Sequence, residues 1–149
     1  MKLVDGNETV IVVTGGSDAA LEKDAPLAAR LRAEIDRRGG GHAYRRAVVL
    51  RAEQYVETPA LHRHPTIAVG GPGANDVSQH LTQVLPMVWA RDERCFVQMA
   101  SNEDGRQVAV WGMDAEATQG AVDAFITEGL LDRLLDRVWR FQAGAVLPT

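Results

Sequence analysis

The sequence predicts an α/β fold: a single three-layer domain on a mixed, mostly parallel sheet of about five strands, closed by a β-hairpin and a C-terminal helix. Two observations predict it. Short apolar runs alternate with segments of helical periodicity, as in β-α-β units. Two of these runs stop at glycine pairs, Gly15-Gly16 and Gly70-Gly71, before a helical segment. Buried parallel strands end in this way, and ligands of open α/β sheets bind at that end.

Length and composition restrict the class of protein. The 149 residues suit one domain over 1–149, and 46% hydrophobic with 24% charged residues is typical of a globular chain. A net charge of −4 argues against nucleic acid as a partner. Neither a signal peptide nor a run long enough to span a membrane is visible, so we expect a cytoplasmic protein without membrane contact.

The first half predicts two strands joined by a helix. The strands are expected over 9–14 and 46–51, where apolar residues are continuous. Leu31 and Ile35 continue an apolar stripe of helical spacing between them. Because proline suits the first position of a helix, the regular helix is expected to begin near Pro26, with 15–25 partly irregular.

The second half predicts three more strands and two helices. The strands over 95–100 and 107–111 should be antiparallel, because the Asp104-Gly105 pair between them is a hairpin signal. The remaining elements are a short polar crossover over 53–64, a strand over 66–70, a helix over 75–85 capped by Asn75, and a last helix over 114–140 broken at Gly129.

The two glycine turns and the end of the fifth strand are the candidate site. Parallel strands would bring residues near 14, 70 and 111 to a common edge of the sheet. Glycine allows close approach of a ligand, and the helix behind each turn offers free amides. We therefore expect a small anionic or polar ligand, with tight packing turns as the alternative. The predicted ligand-binding residues are Gly15, Gly16, Ser17, Gly70, Gly71, Gly73, Asn75, Trp111 and Asp114.

No motif predicts a cofactor or a metal. Neither glycine turn matches a phosphate-loop or dinucleotide fingerprint. The pair His62 and His64 would face together only in an irregular loop, so exposed loop histidines are expected. The single cysteine, Cys95, opens an apolar run and is predicted to be buried.

A catalytic interpretation stays open as an alternative. Ser17 stands at a strand-to-helix turn but lacks the second glycine of a nucleophile elbow, so a helix cap is favoured. Asp5, Glu53, Glu57 and Asp114 could form an acid/base set at the same sheet edge.

Two apolar features allow more than one role. Trp111 either lines a pocket at the sheet edge or packs against the helix that follows, which we favour. The apolar face of the last helix either belongs to the core or forms a homodimer contact, since Trp139 and Phe141 extend it.

Two segments resemble a known class of module. The turn Gly70–Asn75 and the segment Gly112–Thr118, with Ala121 behind it, resemble the α/β domains of archaeal surface-layer proteins. Those domains carry a Gly-Gly-Pro-x-x-Asn turn and later a Gly-x-Asp/Glu-x-x-x-Thr-x-x-Ala helix start. The segment Asp24–Ala28 is similar to a fragment of the bacterial cell-wall-binding repeat of type 2.

The resemblance implies a non-enzymatic module used for assembly or for binding a surface polymer. It also implies structural roles for Gly70, Gly71, Asn75 and Thr118. An export signal and the Arg-x-x-Gly-x-x-Arg-Tyr signature of the bacterial repeat are not found in the sequence.

Three functions follow as hypotheses. The favoured one is a non-catalytic module that binds a small polar or anionic ligand, or a protein partner, at the glycine turns. The alternatives are a small-molecule hydrolase or transferase using the same sheet edge, and an assembly module that dimerises through its C-terminal helix.

Overall fold

The computed structural model describes residues 6–100 and 105–139. It confirms an α/β fold on one mixed sheet, with six strands rather than about five. The strands are β1 (Val10–Thr14), β2 (Ala47–Arg51), β3 (Thr66–Val69), β4 (Met87–Arg91), β5 (Cys95–Met99) and β6 (Gln107–Gly112).

Five α-helices connect or follow these strands in the described part of the chain. They are α1 (Asp18–Gly39), α2 (Ala52–Val56), α3 (Asp76–Val84), α4 (Ala115–Thr127) and α5 (Leu130–Val138). Short 3₁₀ helices lie at Gly6–Glu8 and Pro59–Arg63. None of the described helices is both long and apolar enough to cross a membrane.

The strand order is β2-β1-β3-β6-β5-β4. Strands β2, β1, β3 and β6 are parallel, while β5 runs antiparallel to both of its neighbours, β6 and β4. The carboxyl ends of β1, β3 and β6 are therefore adjacent, as predicted. The chain leaves β1 toward β2 and returns to its other side as β3, so the strand order switches between β1 and β3. Open α/β sheets bind ligands at such a switch point.

Helices cover both faces of the sheet, which confirms the three layers. Alternate side chains of β1 supply the two cores, since successive residues of a strand point to opposite faces. Val10 and Val12 pack with α1, α4 and α5 on one face. Ile11 and Val13 pack with α2 and α3 on the other.

Helix α1 begins earlier than predicted. Ser17 caps it by accepting a hydrogen bond from the Ala20 amide, and the helix continues through Pro26. Proline removes the amide that would bond to the carbonyl of Glu22, four residues back, and its ring crowds that carbonyl. Glu22 is exposed, so water solvates the freed carbonyl. Ala20 and Asp24 are buried, so the first two turns pack against the rest of the chain. The prediction of a partly irregular segment over 15–25 is therefore wrong, because residues 18–25 are helical.

Strand β4 was not expected. It pairs with β5 through a tight hairpin in which Asp92 and Glu93 adopt φ of 57° and 55°. Such turns usually contain Asn-Gly or Asp-Gly, so this one gave no sequence signal. The predicted antiparallel pair β5 and β6 is confirmed, whereas Asp104, in the turn expected between them, lies outside the described residues.

The C-terminal helix is broken at Gly129, as predicted, where φ is 82°. Its apolar side chains are buried in the chain's own core: Leu130, Leu131, Leu134, Leu135 and Val138. Phe141 lies outside the described residues, and the homodimer stays a prediction.

Candidate functional site

A cleft of about 460 Å³ lies at the carboxyl edge of the sheet, over the ends of β3 and β6 and beside the start of α1. Three connections form its walls: the start of α1, the loop from β3 to α3 and the loop from β6 to α4. Six predicted residues line it: Ser17, Gly70, Gly71, Gly73, Trp111 and Asp114.

The other three predicted residues, Gly15, Gly16 and Asn75, do not line the cleft. Gly15, in the loop from β1 to α1, is buried where that loop meets the loop from β3 to α3. A Cβ on Gly15 would lie 2.4 Å from the carbonyl oxygen of Ala74. A Cβ on Gly16 would lie 2.3 Å from a carboxyl oxygen of Glu53. Close packing against backbone therefore requires glycine at position 15, whereas at position 16 only the movable end of the Glu53 side chain would be displaced.

Asn75 holds the two glycine loops together from beneath. Its amide nitrogen donates to the carbonyl oxygens of Val13 and Val69, at 3.1 and 3.0 Å. Its side-chain oxygen accepts from the amides of Val77 and Ser78, which confirms the predicted helix cap. Because it is 1% exposed, Asn75 fixes the shape of the cleft from the interior.

Asp114 and Thr118 fix the third wall. Asp114 caps α4 through the Ala117 amide, and its other oxygen pairs with Arg94 of the β4–β5 hairpin. The amide of Ala117, and then Arg94, lower the pKa of the Asp114 carboxyl below its ordinary value. The Thr118 hydroxyl accepts from the Gly112 amide and donates to the Asp114 carbonyl. Both oxygens of the Asp114 carboxylate are therefore engaged.

Trp111 borders the cleft on the face of the sheet opposite α4. Its ring lies 4.5 Å from that of Phe96, and its indole nitrogen donates to Gln98. The favoured prediction, packing against the following helix, is wrong because position 111 points to the other side of β6 from Val108 and Val110. The ring lies close to Gly71, where a Cβ would be 3.9 Å from Cε3.

The most unusual group bordering the cleft is the carboxyl of Asp24. The residue is 7% exposed, and Oδ2 has no hydrogen-bond partner among residues 6–100 and 105–139. Burial raises the pKa of the Asp24 carboxyl above its ordinary value, opposed by the Gly15 amide and the charge of Lys23. Buried polar atoms are nearly always paired, so this oxygen requires an explanation.

Gly70 makes room for that carboxyl. A Cβ on Gly70 would lie 2.8 Å from Asp24 Oδ2. The φ angle of Gly70 is +106°, a backbone conformation that residues other than glycine rarely adopt. The second predicted glycine turn is thus shaped around an acid on α1.

Sequence reasoning missed Asp24 as a site residue, although a signal existed. Asp24 lies four residues after Ala20 and four before Ala28, on the stripe that continues to Leu31 and Ile35. An acid inside an apolar stripe indicates a special environment. The signal was lost because the regular helix was expected to begin near Pro26, after Asp24.

The chain's own caps engage one or two of the amides at each helix start that were expected to hold an anion. Ser17 accepts from Ala20, and Asn75 and Asp114 cap α3 and α4 in the same way. The cleft is also bordered by two carboxyl groups, those of Asp24 and Asp114. This arrangement suits a ligand that donates hydrogen bonds better than one that carries negative charge.

The acid/base set is only partly assembled. Of its members, Asp114 borders the cleft, whereas Glu53 lies against Gly16 and Glu57 ends α2. Asp5 lies outside the described residues. Among residues 6–100 and 105–139, no three His, Cys, Asp or Glu side chains are grouped as metal ligands would be. His62 and His64 instead contact the backbone oxygens of Tyr55 and Thr9.

Comparison with models of known protein families gives no match, and comparison with curated proteins gives none either. The resemblance to surface-layer and cell-wall-binding modules therefore stays a prediction.

Proposed function

We propose that this protein is a non-catalytic binding module that holds a small polar ligand in the cleft at the carboxyl edge of its sheet. One observation carries the proposal: Asp24 places a buried carboxyl beside the cleft with one oxygen unpaired. A buried acceptor without a partner costs about 1–3 kcal/mol. A ligand that donates to Asp24 would remove this cost.

Access to the carboxyl supports the proposal. Oδ2 itself is buried, but Asp24 borders the cleft, and the last torsion of an aspartate side chain is broadly distributed. Rotation of the carboxyl can therefore turn an oxygen toward a ligand, in exchange for part of its hydrogen bond from the Gly15 amide. Gly70 is the residue against which the carboxyl lies, and no side chain there blocks it.

Catalysis is the weaker candidate on chemical grounds. A general base needs a free oxygen and a pKa near the working pH. Asp114 has both oxygens engaged and a lowered pKa, and Ser17 uses its hydroxyl oxygen to cap α1. Among the described residues that border the cleft, Asp24 is then the one candidate acid and none is a staged nucleophile, an arrangement that suits binding better than turnover.

Titration followed by amide NMR tests the proposal. The ¹⁵N-labelled protein is titrated separately with methyl α-D-glucopyranoside, inorganic phosphate and n-butylammonium chloride, which represent neutral, anionic and cationic ligands. We expect at least one of them to shift the amides of Gly70, Gly71 and Gly73. Amides of Thr127 and Glu128, which are exposed at the end of α4, serve as the internal control. If all three compounds leave the loop amides unmoved, the proposed function fails.

A further inference from the structure

The charges around the cleft indicate a neutral ligand. Lys23 borders the cleft next to Asp24, and its charge favours the ionised form of that carboxyl. Asp114 is paired with Arg94. Each acid bordering the cleft is thus accompanied by a cation, so a ligand with a net charge of either sign would meet like charge as well as opposite charge.

The walls indicate a ligand with a carbon framework. The cleft is also bordered by the apolar side chains of Pro72, Trp111 and Met113, and Met113 is 63% exposed. Asp24 lies against Gly70, and Trp111 lies beside the next residue, Gly71. Both glycines expose backbone in place of side chains. A ligand that spans the cleft would therefore meet a hydrogen-bond acceptor beside Gly70 and apolar surface beside Gly71.

We infer that the ligand is a neutral compound whose hydroxyl group donates to Asp24 while its carbon skeleton lies against Trp111 and Met113, as a sugar ring could do. This inference rests on the proposed function, since it names the ligand class of the same cleft. The unpaired acceptor, the paired charges and the apolar side chains all border the same cleft.

Two substitutions test the inference without threatening the fold. Asp24→Asn keeps the shape of the side chain but removes its charge, so hydroxyl binding should weaken by about ten-fold. Gly71→Ala adds one methyl group at ordinary contact distance from Gly112 and Trp111, 3.6 and 3.9 Å, and fills part of the cleft. Asp136→Asn, on the exposed side of α5, is the matched control.

The measurement is the dissociation constant of methyl α-D-glucopyranoside from amide shifts, for the unmodified chain and the three variants. Tetrahydropyran, which has the ring without hydroxyl groups, is the matched ligand. We expect the glucoside to bind more tightly than tetrahydropyran, Asp24→Asn and Gly71→Ala to weaken it, and Asp136→Asn to leave it unchanged.

Four results would overturn the inference. Equal shifts with tetrahydropyran, or equal affinity in Asp24→Asn, would show that hydroxyl recognition by Asp24 is absent. Tighter binding of inorganic phosphate or butylammonium would overturn the ligand class while leaving the proposed function standing. No binding of any compound at the cleft would overturn both.

Discussion

The side chain of Asn75 donates to the carbonyl oxygen of Val13, 3.1 Å away, and so connects the loop after β3 to the end of β1. The two strands are neighbours in the sheet, and this bond lies directly beneath the cleft. The cleft's geometry therefore depends on a buried residue that does not itself border it.

Asn75→Ala should lower the free energy of unfolding by about 3 kcal/mol, because it removes a helix cap and leaves buried carbonyl oxygens unpaired. Ser17→Ala removes a cap on the surface and should cost about 1 kcal/mol. Urea denaturation of both variants checks the difference. Equal losses would mean that the bonds to Val13 and Val69 contribute little.

Gly70→Ala should destabilise the chain by about 1–3 kcal/mol, since a methyl group there meets Asp24 and the backbone has a positive φ. Gly71→Ala should leave stability unchanged or raise it by up to about 1 kcal/mol, because the methyl fits and the unfolded chain loses freedom. Thermal unfolding of the pair gives the comparison. A Gly70→Ala variant as stable as Gly71→Ala would contradict the packing of Asp24 against this turn.

The hairpin between β4 and β5 offers a stabilising change. Asp92 and Glu93 both have left-handed backbone conformations, which cost non-glycine residues about 1–2 kcal/mol each. In an Asn-Gly pair the glycine relieves this cost but adds freedom to the unfolded chain, and asparagine relieves only part of it, so we expect a net gain of about 1 kcal/mol. This gain should raise Tm by about 2–4 °C, with Arg94 retained to pair with Asp114. A lower Tm in differential scanning calorimetry would argue against this turn.

The pKa values of the two carboxyls of the cleft should be shifted in opposite directions. Asp114 should have a pKa below its ordinary value, and Asp24 a pKa above it. Carboxyl ¹³C shifts, assigned with Asp114→Asn and Asp24→Asn, measure both. If the pKa of Asp24 is at or below that of Asp114, the Asp24 carboxyl is not buried with an unpaired oxygen as described here.

The stability consequences have opposite signs. The stabilisation from Asp114 is present above the pKa of the unfolded chain and is lost as pH falls through the lower folded value. Asp24 destabilises the fold at neutral pH, and this cost disappears as pH falls through its raised folded pKa. Asp114→Asn should therefore lose most stability near neutrality, whereas Asp24→Asn should gain there.

Much of the fold could be predicted because its signals are local. Continuous apolar runs marked the buried parallel strands, and Asn75 and Asp114 marked helix starts. Strand β4 could not be predicted, because it is a half-exposed edge strand whose turn uses Asp92 and Glu93 in place of glycine.

The position of the cleft could be predicted, whereas the buried carboxyl beside it could not. Glycine pairs located the sheet edge correctly, since turn requirements are encoded locally. Asp24 acquires its significance only when α1 packs beside Gly70, which is 46 positions further along the chain. Gly15, an expected ligand contact, instead lies where the loop from β1 to α1 meets the loop from β3 to α3.

The unfolding temperature of Asp24→Asn at pH 7 shows whether the buried Asp24 carboxylate lowers the stability of the free protein. If Asp24 is held unpaired for a ligand, removing its charge relieves a cost in the free protein, so the variant should unfold at a higher temperature than the original chain. Asp136→Asn should change little, by less than about 0.5 kcal/mol. A clear fall in the unfolding temperature of Asp24→Asn would show that the carboxylate stabilises the fold, and the binding role proposed for Asp24 would then be wrong.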